Sequence, residues 1–223
     1  MSPPHSADQQ TSSDGAAFSP RARLTVLIDF KSSYALLAKD ALHALEQELG
    51  IDGDWLPLQI THPLRRPTEA AANDRGARHR KFRAAYYEED LRRYARLHGL
   101  KVPDVYPDID STAPALGLLW LRNAPADLRR QYVSRMFDSH YAAPLTAADV
   151  RSVLNNIGSD GEAFLHFAAR EGMAELTALQ VAFRTSGFTT SPTYLLDGEY
   201  FQGRQHLPML RWLLSEKHGE PPT

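Results

Sequence analysis

The chain has 223 residues, a formal net charge of -2 and no cysteine, and 43% of its residues are hydrophobic. That size and composition suit a globular protein with a real core, and the near-neutral balance argues against a general nucleic-acid binder. The lack of cysteine removes disulfides, thiolate metal sites, cysteine nucleophiles and redox dithiols, and no apolar run approaches the roughly 18–20 residues of a membrane span.

Met1 to Pro20 is rich in Ser, Pro, Asp and Gln and lacks the apolar and basic regions of a secretory signal. Residues 1–22 are expected to be a disordered tail on a cytoplasmic protein. Leu24 to Phe30 is a nearly continuous apolar run and reads as a buried strand. A helix is expected from Tyr34 to Leu49, with Ala35, Ala38, Leu42, Leu45 and Leu49 on one face and Gly50 as its cap. Trp55 to Ile60 reads as a second strand, placed at a sheet edge by Pro57.

From Thr61 to about Phe183 the pattern is helical. Helices are expected over Phe82–Leu97, Ala113–Arg122, Ala126–Tyr141, Thr146–Ile157 and Glu162–Phe183, with breaks at Gly99, Gly158 and Gly172. Glu88–Arg92 and Glu89–Arg93 are i,i+4 pairs. Strand character then returns. Thr193–Leu196 and Glu199–Gln202 flank Asp197-Gly198, a dipeptide suited to a type I′ turn, and a helix from Leu207 carries Pro208 in its first turn. The order β-α-β, helical block, β-β-α implies one discontinuous α/β domain, 23–63 with 184–218, holding a helical insertion, 64–183.

Ser32 lies between a strand end and a helix start. Backbone amides and the helix dipole favour an anion there, and a hydroxyl can add a donor; the same residue also serves as an ordinary N-cap. Arg78, Arg80, Lys81 and Arg83 form a basic stretch that would attract a carboxylate or simply face solvent, and Lys31 could face the same mouth. Tyr34 and Tyr86 are candidates for an aromatic pocket wall. His140 and His166 sit in helical surroundings without metal-ligand spacing, so no metal is expected.

Several segments together carry a resemblance. Asp29-Phe30-Lys31-Ser32-Ser33-Tyr34-Ala35-Leu36-Leu37-Ala38 resembles the D-F-x-S-P-Y-x-Y-L-A stretch of 2-hydroxychromene-2-carboxylate isomerases, and kappa-class glutathione transferases carry a similar one. Arg83-Ala84-Ala85-Tyr86 with Asp90-Leu91-Arg92-Arg93-Tyr94-Ala95 is similar to K-A-x-Y-x-x-x-D-L-x-R-x-A. Gly187 to Thr193 is similar to G-V-F-G-V-P-T, and Asp197 to Gly203 resembles D-G-E-L-F-W-G. The resemblance runs over about 24–217, in this branch of the DsbA-like superfamily.

It implies an α/β, thioredoxin-like fold with a large all-helical insertion domain. It implies glutathione as cofactor, Ser32 as the catalytic serine holding its thiolate, and a cis Ser191–Pro192 turn. Gly203, Arg204, Gln205 and His206 would complete the cofactor site with Ser191 and Pro192, and Lys31, Ser33, Tyr34, Arg83 and Tyr86 would line the substrate pocket. The implied activity is cis-trans isomerisation of a conjugated aryl pyruvate or enone, an anionic small molecule. A kappa-like transferase, and a protein using no glutathione, are the alternatives; a disulfide oxidoreductase is excluded by the missing cysteines. The resemblance also implies a homodimer. Two departures stand out: Ser33 replaces the family's proline, and Gln205-His206 replaces an acidic-basic pair that helps hold the γ-glutamyl end, so glutathione binding is expected to be weak.

Overall fold

The computed structural model describes residues 18–60 and 75–222; most of the expected tail, and residues 61–74, lie outside the described residues. A mixed four-stranded sheet has the order β2-β1-β3-β4. β1 (Leu24–Ile28) is buried on both faces and pairs in parallel with β2 (Asp54–Pro57). β3 (Thr193–Leu196) runs antiparallel to β1, and β4 (Glu199–Gln202) antiparallel to β3. Pro57 sits on the edge strand, where its missing donor is harmless. Asp197 and Gly198 turn the β3–β4 hairpin with φ of 50° and 86°, the two positive angles a type I′ turn needs.

α1 (Ser33–Leu49) buries Ala35, Ala38, Leu42 and Leu45, and Gly50 closes it in the left-handed region at φ 62°. Between β2 and β3 follow α2 (Arg75–Leu97), α3 (Thr112–Trp120), α4 (Ala126–His140), α5 (Ala147–Asn156), α6 (Gly161–Phe167) and α7 (Met173–Thr185). Among the described residues, no strand interrupts this helical run. Thr146 and Asp149 cap α5 reciprocally, and the Glu88–Arg92 and Glu89–Arg93 pairs form on α2 at 3.0 and 3.3 Å. α8 (Leu207–Leu214) closes the fold with Pro208 in its first turn.

Alternation along the strands divides the core. Leu24, Val26, Ile28, Tyr194 and Leu196 pack with α1 and the helical block. Leu27, Leu56 and Leu195 point the other way, onto Phe183 of α7 and Phe188. α7 therefore covers the second face of the sheet, and the boundary expected at 183/184 falls inside this helix.

Two expected elements differ in detail. The second strand ends at Pro57 rather than Ile60: Leu58 N–H still donates to Ile28 O, but side chains take the two amides after it, Gln59 N–H donating to Gln180 Oε1 and Ile60 N–H to Asp29 Oδ2, both at 2.8 Å. The long helix expected over Glu162–Phe183 is divided by a π-helical turn, Ala168–Gly172. There the Phe167 ring lies 2.9 Å from where a Cβ on Gly172 would stand, so the glycine admits the ring instead of ending the helix.

His43 sets an acid limit on this core. Its ring packs 4.8 Å from that of Trp55, and its buried Nε2 has no partner among the described residues. Burial lowers its pKa to about 4 from the ordinary 6.5. A depressed folded-state value means that the neutral ring's stabilisation is complete above pH 6.5 and is lost as pH falls through 4. Asp29 and Glu46 act oppositely, because burial raises both. Replacing His43 by Phe should therefore reduce the stability lost between pH 7 and pH 4 by roughly 2–3 kcal/mol. Urea unfolding at the two pH values checks this; an unchanged difference would show that the imidazole is solvated.

Candidate functional site

The sheet brings the site together at one edge. The carboxyl ends of β1, β2 and β4 and the amino end of β3 all reach the same side, because β4 reverses the reversal made by β3. A cavity of about 810 Å³ opens there, walled across from the sheet by α2. Its lining includes Lys31, Ser32, Ser33, Tyr34, Arg83 and Ser191, together with Gly203, Arg204 and Gln205.

Ser32 is the N-cap of α1. Its φ,ψ of -84°,113° leaves the helix, and its Oγ accepts Ala35 N–H at 3.2 Å. The same oxygen donates its hydrogen to Ser191 O at 2.7 Å. Capping and site-forming geometry are thus combined in one side chain. The Ser191–Pro192 bond is cis, as the resemblance implied. The cap leaves the Ser33 and Tyr34 amides, first in the helix, without a partner among the described residues. These amides and the helix dipole favour negative charge at the cavity floor.

Asp29 organises that floor. Its carboxylate accepts Lys31 N–H at 3.1 Å and Ile60 N–H at 2.8 Å, and its own amide donates to Ser191 Oγ at 2.7 Å. Burial raises its pKa, while Lys31, Ser111 and the two amides oppose that rise. Lys31 Nζ stands 3.9 Å from Asp29 Oδ2.

On α2, residues four, three and four apart form one stripe, so Arg83, Tyr87, Asp90 and Tyr94 all face the cavity. Tyr86 does not. It lies off the stripe and is 61% exposed, which corrects its place in the expected pocket. Tyr87 occupies that wall instead, its hydroxyl accepting from Arg83 at 3.1 Å and its ring edge-on to Tyr34 at 6.5 Å. Arg78 and Lys81 of the basic stretch are exposed.

Arg204 packs its guanidinium 3.4 Å from the centre of the Tyr94 ring and lies 3.8 Å from Asp90 Oδ2. Gln205 turns its amide back to Gln202 O at 2.7 Å. Gly203 takes φ 91° and ψ 158°, backbone that a residue with a Cβ enters only under strain. Two expected cofactor residues do not line the cavity. His206 packs against Phe201 with ring centres 5.7 Å apart and planes tilted by 56°, and Pro192 is buried beneath the turn. Ser33 borders the cavity but ties its hydroxyl to Val105 O at 2.7 Å, anchoring α1 to the 105–106 loop.

Tyr87, Tyr94, Tyr106, Asp90, Thr189 and Thr190 are lining residues that sequence reasoning missed. The α2 members could have been found by extending the stripe from Arg83 at helical spacing. Thr189 and Thr190 enter only through the approach to the cis turn. Among the described residues, no group of His, Asp or Glu could hold a metal ion, and no helix is long and apolar enough to cross a membrane.

Solved structures support the fold. 2-Hydroxychromene-2-carboxylate isomerase is 24% identical with TM-score 0.66, over 86% of this chain and 94% of that one. The cytosolic disulfide reductase DsbM from Pseudomonas aeruginosa, solved with GSH, is 19% identical with TM-score 0.57, over 87% and 98% of the two chains. The thiol-disulfide exchange protein alpha-DsbA2 from Wolbachia pipientis is 12% identical with TM-score 0.56, over 88% and 82%. No curated protein sequence matches this chain. The family model of the DSBA-like thioredoxin domain matches residues 23–215, so with its sheet order and cis-proline turn this chain belongs to the DSBA-like thioredoxin family.

Proposed function

We propose that the protein is a glutathione-dependent isomerase that interconverts cis and trans forms of a conjugated aryl pyruvate or enone. The observation that carries this reading is Ser32 at the N-terminus of α1, bonded across to the cis Ser191–Pro192 turn at the floor of a large cavity, in a chain without cysteine. The likeness to 2-hydroxychromene-2-carboxylate isomerase supports the same reading.

The residues present suit glutathione. The uncapped amides of α1 and the Ser32 hydroxyl favour an anionic sulfur, and Arg204 with Gln205 offers donors for its polar end. Bound there, glutathione supplies a sulfur that adds reversibly to a conjugated double bond, which can then rotate before the sulfur leaves. A thiol of pKa about 8.5 is only a few per cent ionised at pH 7, whereas a pKa of about 7 makes it half ionised. Lys31 and Arg83 suit a substrate carboxylate, and the rings of Tyr34, Tyr87 and Tyr106 suit a planar conjugated body.

The Gln205 amide replaces an ionic partner, and it faces its own loop. Exchanging an ionic contact for a neutral one at an exposed position loses on the order of 1–2 kcal/mol, about tenfold in affinity. Glutathione should therefore bind in the high micromolar to millimolar range, as read by calorimetry. Incubating a cis-configured aryl pyruvate with the protein, with and without glutathione, tests the reaction. Isomerisation that needs glutathione and leaves it unconsumed supports the proposal. A stable adduct points to a kappa-like transferase, and turnover without glutathione points to direct action on the substrate.

A further inference from the structure

The two serines at the cavity floor use their hydroxyls in opposite ways. A serine hydroxyl has one hydrogen to donate and two lone pairs to accept with. Ser32 Oγ already donates that hydrogen, to Ser191 O, and accepts from Ala35 N–H. Ser191 Oγ only accepts, from Asp29 N–H at 2.7 Å, and its hydrogen meets no acceptor among the described residues. The Asp29 bond also fixes the Ser191 oxygen, since rotating the side chain away would strand a backbone amide at the end of β1. What remains free is the swing of the hydrogen about Cβ–Oγ, at a residue that borders the cavity.

We propose that the Ser191 side-chain hydroxyl is a second donor to the anionic sulfur of bound glutathione. This rests on the glutathione-dependent reading above. It adds a group which that reading did not use, because there Ser191 entered through its place in the cis turn. Ser191 can donate without giving up any existing bond, whereas Ser32 must first release the Ser191 carbonyl. Hydrogen bonds to an ion are about twice as strong as neutral ones, so such a donor favours thiolate over thiol. Ser191 stands where the similar G-V-F-G-V-P-T segment has valine, so the donor is a feature of this chain.

The test is the pKa of the thiol in bound glutathione, followed by the ultraviolet absorbance of the thiolate against pH in the full-length protein. Ser191→Ala should raise that pKa by about one pH unit, a roughly tenfold loss of thiolate on the acid side. The isosteric pair Ser191→Thr and Ser191→Val covers the case in which the alanine variant folds poorly. Threonine keeps the hydroxyl and should stay near the wild-type value, while valine should match the alanine shift. Equal pKa values in the threonine and valine variants, with Ser32→Ala still raising the value, would overturn the Ser191 assignment and leave the glutathione reading standing. A wild-type protein that binds no ionised glutathione would overturn both.

Discussion

Replacing Ser32 by alanine should lower turnover of a cis-configured aryl pyruvate by about 100-fold or more while leaving most of the fold's stability. Three functions meet at this oxygen. It caps Ala35 N–H, it donates to the carbonyl of Ser191, and it borders the cavity where α1 begins. Loss of the cap costs about 1 kcal/mol of stability, and the carbonyl left without its donor adds a similar amount. When its hydrogen turns from Ser191 O to the reacting sulfur, Ser32 becomes a donor to negative charge, and loss of such a donor costs about 2.7–4 kcal/mol of barrier by analogy with oxyanion-hole donors. Ser32→Thr keeps both the hydroxyl and the capping oxygen and should recover most of the activity. Thermal unfolding alongside turnover with saturating glutathione separates the effects. If the alanine variant turned over substrate at nearly the wild-type rate, Ser32 would be an N-cap and nothing more.

What the sequence discloses about this site depends on how local the controlling physics is. The place of Ser32 at a helix start was legible because a buried β run, a short polar link and an amphipathic helix are neighbours in the chain, while its role in the site came from the resemblance. The Asp197-Gly198 turn was legible because positive φ at both central positions is a demand those residues meet by themselves. The cis bond at Pro192 came from resemblance, since its local sequence alone favours trans. The α2 wall shows where locality fails. Tyr86 and Tyr87 are adjacent and chemically identical, and only the way α2 lies over the sheet turns one to solvent and the other to the cavity. Arg204 was expected to be free for a ligand, yet Tyr94 and Asp90 of α2 already engage it. A glutathione carboxylate must compete with Asp90 for that guanidinium.

Lys39 offers the sharpest case of a role that periodicity does not disclose. It sits on α1 beside the apolar face, and its side chain is 2% exposed. Its Nζ lies 2.7 Å from Asp40 Oδ1 and 2.9 Å from Asp138 Oδ1 on α4, so it fastens the helix that carries Ser32 to the helical block. The arrangement is asymmetric: the ammonium is buried, whereas Asp40 and Asp138 are 64% and 49% exposed. Removing a partner from a buried charge costs far more than removing the charge itself. Asp40→Asn combined with Asp138→Asn should therefore destabilise the protein by about 3–5 kcal/mol at neutral pH, since the ammonium keeps its burial and loses both counter-charges. Lys39→Met should fall within about 1.5 kcal/mol of wild type: the thioether fills the space of the buried lysine stem, and both carboxylates, already about half exposed or more, regain water at little cost. The triple variant, with methionine at 39 and both asparagines, should recover most of what the double variant lost, because the charge that needed partners is gone. Urea midpoints for the four proteins give the comparison. A double variant as stable as wild type would mean that the Lys39 ammonium reaches water after all. A double variant that the methionine fails to rescue would place the loss in the aspartates' other contacts.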